Sequence, residues 1–264
     1  MKTVLLTFDI EEFDMPLEYG GTIVLEEQIQ VSAEGTRLIL DMLRAANVRA
    51  TFFSTVVFAR KSKELIDRIS LEGHELASHG YYHSTFQPSH LGESKAELES
   101  MSGQKVMGYR MPRMMAVDNK EIRGAGYTYN SSLNPVYLPG RYNNIMKPRT
   151  LFSDNGVIQL PASATPLIRF PLFWLSFHNL PLWLYKAACV RTINHDEYLN
   201  IYLHPWEFTD LTKSKYALPG YVSRNSGSSM VDRFYKLLLW MKQKHYVFKP
   251  INEFLNDGNY LNRD

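Results

Sequence analysis

Gly73-His74-Glu75-Leu76-Ala77-Ser78-His79-Gly80-Tyr81-Tyr82-His83 is the stretch that decides how the chain reads. Upstream of it, Leu65 and Ile69 lie one turn apart on a helix, and Gly73 breaks that helix. Residues 74–78 then read as a short strand. Two histidines follow at once, four positions apart. At that spacing two imidazoles can face one point, on a helical turn or in a tight loop, and it is a known spacing for metal ligands. In α/β folds, sites gather at the C-terminal ends of strands.

The same unit recurs on both sides. Residues 4–8 read as a strand ending at Asp9, Glu11 and Glu12. Ile39, Met42, Leu43 and Ala46 then recur at helical spacing, with Asn47 as a stop. Residues 50–54 form a second strand. Downstream come a helix over 92–102, a strand over 106–109 that leads into Arg110, and a short helix over 119–125. Later strands are predicted at 157–160 and 199–203, the latter followed by His204. Residues 229–244 form an amphipathic helix with Phe234, Leu237, Leu238 and Met241 on one face. A strand over 247–249 and a helix from Ile251 close the chain. Repeated strand–helix units predict an α/β fold of parallel strands with outer helices, in one domain over residues 1–264.

Composition narrows the function. The 264 residues carry a formal charge of +2 with no dominant basic face, which argues against nucleic acid as a partner. The single cysteine, Cys189, cannot form an internal disulfide. The apolar run of residues 4–8 stops at Asp9, too short for a signal segment or a membrane span, so the expected location is the cytoplasm. Residues 166–188 (PLIRFPLFWLSFHNLPLWLYKAA) are rich in Trp, Phe and Leu, but Pro171, Pro181 and His178-Asn179 interrupt any spanning helix. They read as a core segment with a helix after Pro181, or else as a lid or a peripheral membrane contact.

Each polar group has an ordinary explanation when taken alone. Acids often end strands, Arg110 suits a surface ion pair, and His204 suits a structural role. Their coincidence is the argument: Asp9, Glu11, His79, His83, Arg110 and His204 all follow predicted strands, so one sheet edge would gather them into one cleft. Two imidazoles and one carboxylate are a donor set for a catalytic divalent cation, which needs three protein ligands and an open position. Arg110 is suited to pin a carboxylate by a bidentate hydrogen bond.

With these residues in place, the chain resembles the polysaccharide deacetylases, carbohydrate esterases with a NodB-like catalytic domain. The matching pieces are Thr7-Phe8-Asp9-Ile10-Glu11, Ala50-Thr51-Phe52-Phe53, the histidine stretch above, Gly108-Tyr109-Arg110-Met111-Pro112, Gly126-Tyr127-Thr128-Tyr129-Asn130-Ser131-Ser132 and Leu203-His204-Pro205. The resemblance implies a distorted (β/α) barrel and a zinc-like divalent metal. It implies His79 and His83 as metal ligands, Asp9 as general base oriented by Arg110, His204 as general acid, and a backbone N–H near Arg113 at the oxyanion. Its implied activity is removal of an N-acetyl group from a sugar or glycan, and a lipid-linked or nucleotide-linked sugar is the expected form.

Three positions depart from the family's common pattern. Ile10 separates Asp9 from the next acid, so the third ligand is expected to be Glu11, as in the branch with an Asp-x-Glu motif. Positions i and i+2 of a strand share a face, so Asp9 and Glu11 point together and Glu12 points away. Asn130 stands where an Asp is usual, leaving His204 to be oriented by this amide, by Glu207 or by Asp196. Met114 replaces a usual Gly. Two other readings stand beside the deacetylase: hydrolysis of another C–N bond such as that of a cyclic ureide, and a carbohydrate-binding protein with a degenerate site, for which Asn130 is the best support.

Overall fold

The computed structural model describes residues 2–258 and 260. Its first strand, β1 (Thr3–Ile10), is buried along its whole length, as expected of a parallel strand covered on both faces. After it come α1 (Met15–Glu18), α2 (Leu25–Ala46), β2 (Thr51–Ser54), α3 (Val56–Lys61), α4 (Lys63–Leu71) and β3 (Glu75–Ser78). The middle of the chain contains α5 (Ser89–Ser102), β4 (Gly108–Tyr109), α6 (Asn119–Gly124), β5 (Tyr129–Asn130), the small hairpin β6 (Tyr137–Leu138) and β7 (Tyr142–Asn143), β8 (Phe152–Asp154) and β9 (Val157–Gln159). The last third adds α7 (Trp174–Asn179), α8 (Leu182–Asp196), β10 (Tyr198–Leu203), α9 (Gly220–Ser223), α10 (Ser228–Gln243), β11 (Val247–Phe248) and α11 (Ile251–Asp257).

Among the described residues the main sheet runs β10-β1-β2-β3-β4-β5-β9-β8, with β11 also pairing β1. All of its pairings are parallel except β8–β9. It is a curled half-barrel with helices outside it, the α/β architecture predicted from the sequence. The strand at 157–160 was expected, but its antiparallel partner β8 was not: with Phe152, Ser153 and Asp154 alone it has no apolar alternation to mark it.

The registers explain why the polar residues converge. Asp9 pairs with Phe53 and Ile10 with Ser54, Ser54 with Ser78, and Ser78 with Tyr109. The residues that follow these positions, Glu11, His79 and Arg110, therefore emerge side by side at one end of the sheet. The core beneath them is built from β1 and β2 side chains such as Phe8 and Phe52, packed against α2 and α10. Burying each such side chain contributes roughly 1.5–3 kcal/mol.

α2 ends at Asn47, whose φ of 50° is the left-handed cap conformation, as its sequence position predicted. Within α2, Gly35 marks a close approach: a Cβ there would lie 1.8 Å from the Pro205 carbonyl oxygen. The helix thus packs directly on the backbone of the turn that follows His204. The segment 166–188 contains the helix expected after Pro181, α8, and a shorter one before it, α7. Leu172, Phe173 and Phe177 of this segment are buried, whereas Leu167, Ile168 and Trp183 are exposed. No helix among the described residues is long and apolar enough to cross a membrane.

Candidate active site

Glu11, His79 and His83 each present a ligand atom within 4.8 Å of the others, and all three are buried. The two imidazoles reach this point from a loop rather than a helix, turning through Gly80 at φ 87°. Both Nε2 atoms face the same carboxylate oxygen, Glu11 Oε2, at 2.9 Å from His79 and 3.1 Å from His83. Their far nitrogens are fixed. His79 Nδ1 lies 2.9 Å from the Arg110 carbonyl oxygen, which can only accept, so Nδ1 carries the proton. His83 Nδ1 lies 2.8 Å from Asp14 Oδ1, which imposes the same tautomer.

This donor arrangement fits a cation. A neutral imidazole with its proton on Nδ1 turns the Nε2 lone pair toward the carboxylate lone pair. That contact is repulsive unless a proton or a metal ion lies between them. Two such contacts on one oxygen, each backed by a carbonyl or carboxylate on the far nitrogen, match the outer-sphere pattern of histidine metal sites. The titration behaviour agrees. Burial alone would raise the Glu11 carboxyl, but His83, His79 and His204 outweigh it and hold it well below the usual range. Burial opposes a charge on His83, yet Glu11 and Asp14 outweigh it and push the group up to about 9. The pocket therefore attracts positive charge.

Beside the triad, Asp9 Oδ1 accepts a 2.6 Å hydrogen bond from Arg110 Nη1. Arg110 is fully buried, and its remaining donors go to Thr7 Oγ1, the Ser131 carbonyl and Ser131 Oγ. The expected bidentate clamp is not formed: one nitrogen holds Asp9 while Ser131 takes the other two. Asp9 Oδ2 is left facing His204 Nε2 across 3.9 Å. Glu12 points away from this cleft, as strand alternation predicted, and accepts from Thr55 Oγ1 and, at 3.4 Å, from the His83 N–H.

His204 is oriented by Glu207. Glu207 Oε1 lies 3.2 Å from His204 Nδ1 and accepts the His204 backbone N–H at 2.6 Å. The other oxygen, Oε2, faces His178 Nδ1 at 3.8 Å. His178 Nε2 accepts from the Asn225 backbone N–H, so its proton also sits on Nδ1, toward Glu207. Burial alone would raise Glu207, but His178 and His204 lower it. Burial opposes a charge on His204, and Glu207, Glu11 and Asp9 together raise it. Of the three candidates weighed for orienting His204, the structure selects Glu207. Asn130 instead bonds Asn119 and Gln159, and Asp196 pairs with Arg149.

Several neighbours were not legible as site residues. Asp14 fixes His83, and the Arg113 side chain bonds Asp14, Glu18 and the His83 carbonyl, tying α1 to the histidine loop. Trp206 Nε1 donates to Glu11 Oε1 at 3.2 Å, and its ring stacks on His204 with centroids 4.6 Å apart. Trp174 meets His204 edge-on at 5.5 Å. The acids at 11, 12 and 14 were a visible cluster, but nothing in their spacing marked Asp14. Met114 has φ 53°, a conformation that costs glycine nothing, which accounts for the usual Gly there. The whole constellation opens into a cavity of about 310 Å³ lined by Asp9, Glu11, His79, His83, Trp174 and His204 among others.

Residues 1–129 match the family described as polysaccharide deacetylase. That match spans just under half of the chain. Among curated relatives, YheN of Bacillus subtilis is 33% identical over 119 residues, covering 42% of this chain and 35% of that protein. The peptidoglycan-N-acetylmuramic acid deacetylase PdaA of the same organism is 33% identical over 67 residues, covering 25% of this chain and 26% of that one. The matched stretches thus span well under two thirds of these relatives. Solved structures show the fold more widely. A Pseudomonas aeruginosa structure superposes with a TM-score of 0.63 at 12% identity, over 93% of this chain and 86% of that one. An allantoinase gives 0.62 at 13% identity over the same shares. A family pseudoenzyme from Bacillus anthracis gives 0.54 at 14% identity, over 97% of this chain and 66% of that one. Deacetylase, ureide hydrolase and inactive homologue share this fold, so the site must decide the function.

Proposed function

We propose that this chain is a metal-dependent hydrolase that removes an N-acetyl group from a sugar or glycan precursor, working as one catalytic domain of the Asp-x-Glu branch. One observation carries the reading. A three-donor cation pocket with both imidazole tautomers fixed lies beside a carboxylate held by a buried arginine and a histidine held by a buried glutamate.

Glu11, His79 and His83 would hold the metal, and zinc suits two nitrogens and one carboxylate oxygen. When bound, it supplies a Lewis acid for the amide carbonyl and acidifies water. Asp9, oriented by Arg110, takes the proton from the attacking water. A backbone N–H near Arg113 would stabilise the oxyanion. His204 gives its proton to the leaving amine nitrogen, and Glu207 stabilises the cation it must be beforehand. Asp9 and His204 flank one point, as base and acid acting on opposite ends of one scissile bond require.

All six residues expected for the reaction are present and placed together, which favours a working site over a degenerate one. The neutral residue at 130 does not weaken it, because Glu207 supplies the charge beside His204. The exposed Leu167, Ile168 and Trp183 support peripheral membrane contact, and with it a lipid-linked sugar as substrate, a nucleotide-linked one being the alternative. The test is acetate release from a panel of N-acetylated sugars, free and conjugated, with and without chelator. Chelator-sensitive release from any sugar supports the reading. Turnover of allantoin alone would replace it with the ureide reading.

A further inference from the structure

His178 is a fully buried titratable group for which the reaction described above has no use. It lies in the aromatic-rich segment 166–188, on α7. Trp174 and His178 are four residues apart on that helix, so they share a face. Trp174 lines the catalytic cavity and meets His204 edge-on. His178, one turn later, fronts the Glu207 oxygen that His204 does not use. One short helix therefore touches the His204–Glu207 pair at both members.

The helix is held by its own carbonyls. Arg233 Nε donates to the Phe177 carbonyl at 2.7 Å, and Arg233 Nη2 to that of Leu180. Asn225 Nδ2 donates to the His178 carbonyl at 2.8 Å, and the Asn225 backbone N–H reaches His178 Nε2 at 3.2 Å. That N–H can only donate, so in the neutral ring Nε2 accepts and Nδ1 carries the proton. The proton faces Glu207 Oε2 across 3.8 Å. Neither His178 Nδ1 nor Glu207 Oε2 has a hydrogen-bond partner among the described residues, and both side chains are completely buried. A donor and an acceptor facing each other away from water are costly unless they bond. About 1 Å of approach makes that bond. Hydrogen bonds around catalytic groups tighten in this way when substrate binds.

We propose that His178 is a positioning residue for the acid step: it donates from Nδ1 to Glu207 Oε2 and so keeps the pair's proton on His204. A buried carboxylate persists as an anion only while its oxygens accept hydrogen bonds. With Oε2 unsupported, the proton on His204 Nδ1 passes to Glu207 Oε1. One N–H bond breaks, one O–H bond forms, and a neutral acid then faces a neutral imidazole. A neutral imidazole is a far weaker acid than an imidazolium, so the leaving amine goes unprotonated. With Oε2 held, Glu207 stays an anion and His204 stays the cation that donates from Nε2. Burial would raise the Glu207 carboxyl, and His178 leads the groups that lower it. The segment 166–188 thus contributes to the acid machinery whatever its exposed side chains touch. The inference rests on the proposed function only for the use made of the His204 proton.

Two substitutions separate the roles of the ring nitrogens. Asparagine places an amide N–H where Nδ1 lies, and glutamine places its amide where Nε2 lies. His178→Asn therefore keeps the donor to Glu207 and gives up the acceptor for Asn225, and His178→Gln does the reverse. In zinc-loaded protein, on the N-acetylated sugar that the parent turns over fastest, His178→Gln should lower kcat about 10-fold, the effect of losing one hydrogen bond to a charged group. KM and zinc content should hold, because His178 lines neither the cavity nor the ligand triad. His178→Asn should recover most of the lost rate, whereas a purely packing role would not favour asparagine. A second readout needs no turnover. With isotope-labelled histidine, the His178 Nδ1–H of the zinc-loaded parent should give a slowly exchanging downfield proton signal, absent from His178→Asn and moved upfield in Glu207→Gln. A glutamine variant as active as the asparagine one, or a His178 signal that ignores Glu207→Gln, would overturn the proposal. A parent that shows the coupled signal but releases no acetate would keep the contact and remove the deacetylase reading, so the two fail separately.

Discussion

Replacing Glu207 by Gln keeps the shape of a fully buried side chain and removes one charge. Its Oε1 lies 3.2 Å from His204 Nδ1, so the charge centres are about 4 Å apart. At an effective dielectric of about 20, two unit charges at ~4 Å interact by about 4 kcal/mol. A neutral hydrogen bond retains about half the strength of a charge-assisted one, leaving a loss of about 2 kcal/mol in support for the His204 cation. That corresponds to roughly 30-fold in rate when proton donation limits amine departure. The sign follows from the role. Glu207 raises His204, so its loss lowers it, and the high-pH limb of the rate profile moves to lower pH. The assay is acetate release across pH 6–9 with a zinc-loaded variant, beside metal analysis to show that zinc is retained. An unchanged rate and unchanged profile would refute the assignment of Glu207 as the orienting charge.

Three further outcomes follow from the geometry. Asp9→Asn should lower kcat by about 10²–10⁴-fold while metal content holds, because Asp9 lies outside the ligand triad; loss of both together would make Asp9 a ligand instead. Zinc must displace a proton from His83, which titrates at about 9. Below that value apparent affinity should therefore rise about tenfold per pH unit for one displaced proton, read by chelator competition at pH 6, 7 and 8; a flat response would contradict the proposed ligand. Gly35→Ala should destabilise by about 1–3 kcal/mol in urea unfolding, although alanine favours a helix, because its methyl would meet the Pro205 carbonyl; a stabilised variant would refute the close approach.

The parts of the fold visible in the sequence are those where one period dominates. β1 shows as an apolar run ended by acids, and α2 and α10 as 3.6-residue stripes. Asn47 and Gly73 mark helix ends because a left-handed φ is cheap for those residues. α3 was hidden because it spans only Val56–Lys61, too short for a periodic signal. The hairpin β6–β7 and strand β8 were hidden because they lack apolar alternation. At the site, the six chemically distinctive residues were legible because each lies at or shortly after the C-terminal end of a strand, and strand ends meet whatever the loops do. Asp14, Trp206 and the side chain of Arg113 were not, since their roles depend on where loops fold back. Asn130 shows the limit of reading one position at a time: its partners Asn119 and Gln159 lie far off in sequence, and only the fold brings them together.

The most direct test is metal content. Protein purified without a histidine tag, supplied with zinc and then desalted, should carry about one divalent ion per chain, and His79→Ala treated alongside should carry little. No metal in the parent, or equal metal in both, would contradict the central claim that Glu11, His79 and His83 form the catalytic cation site.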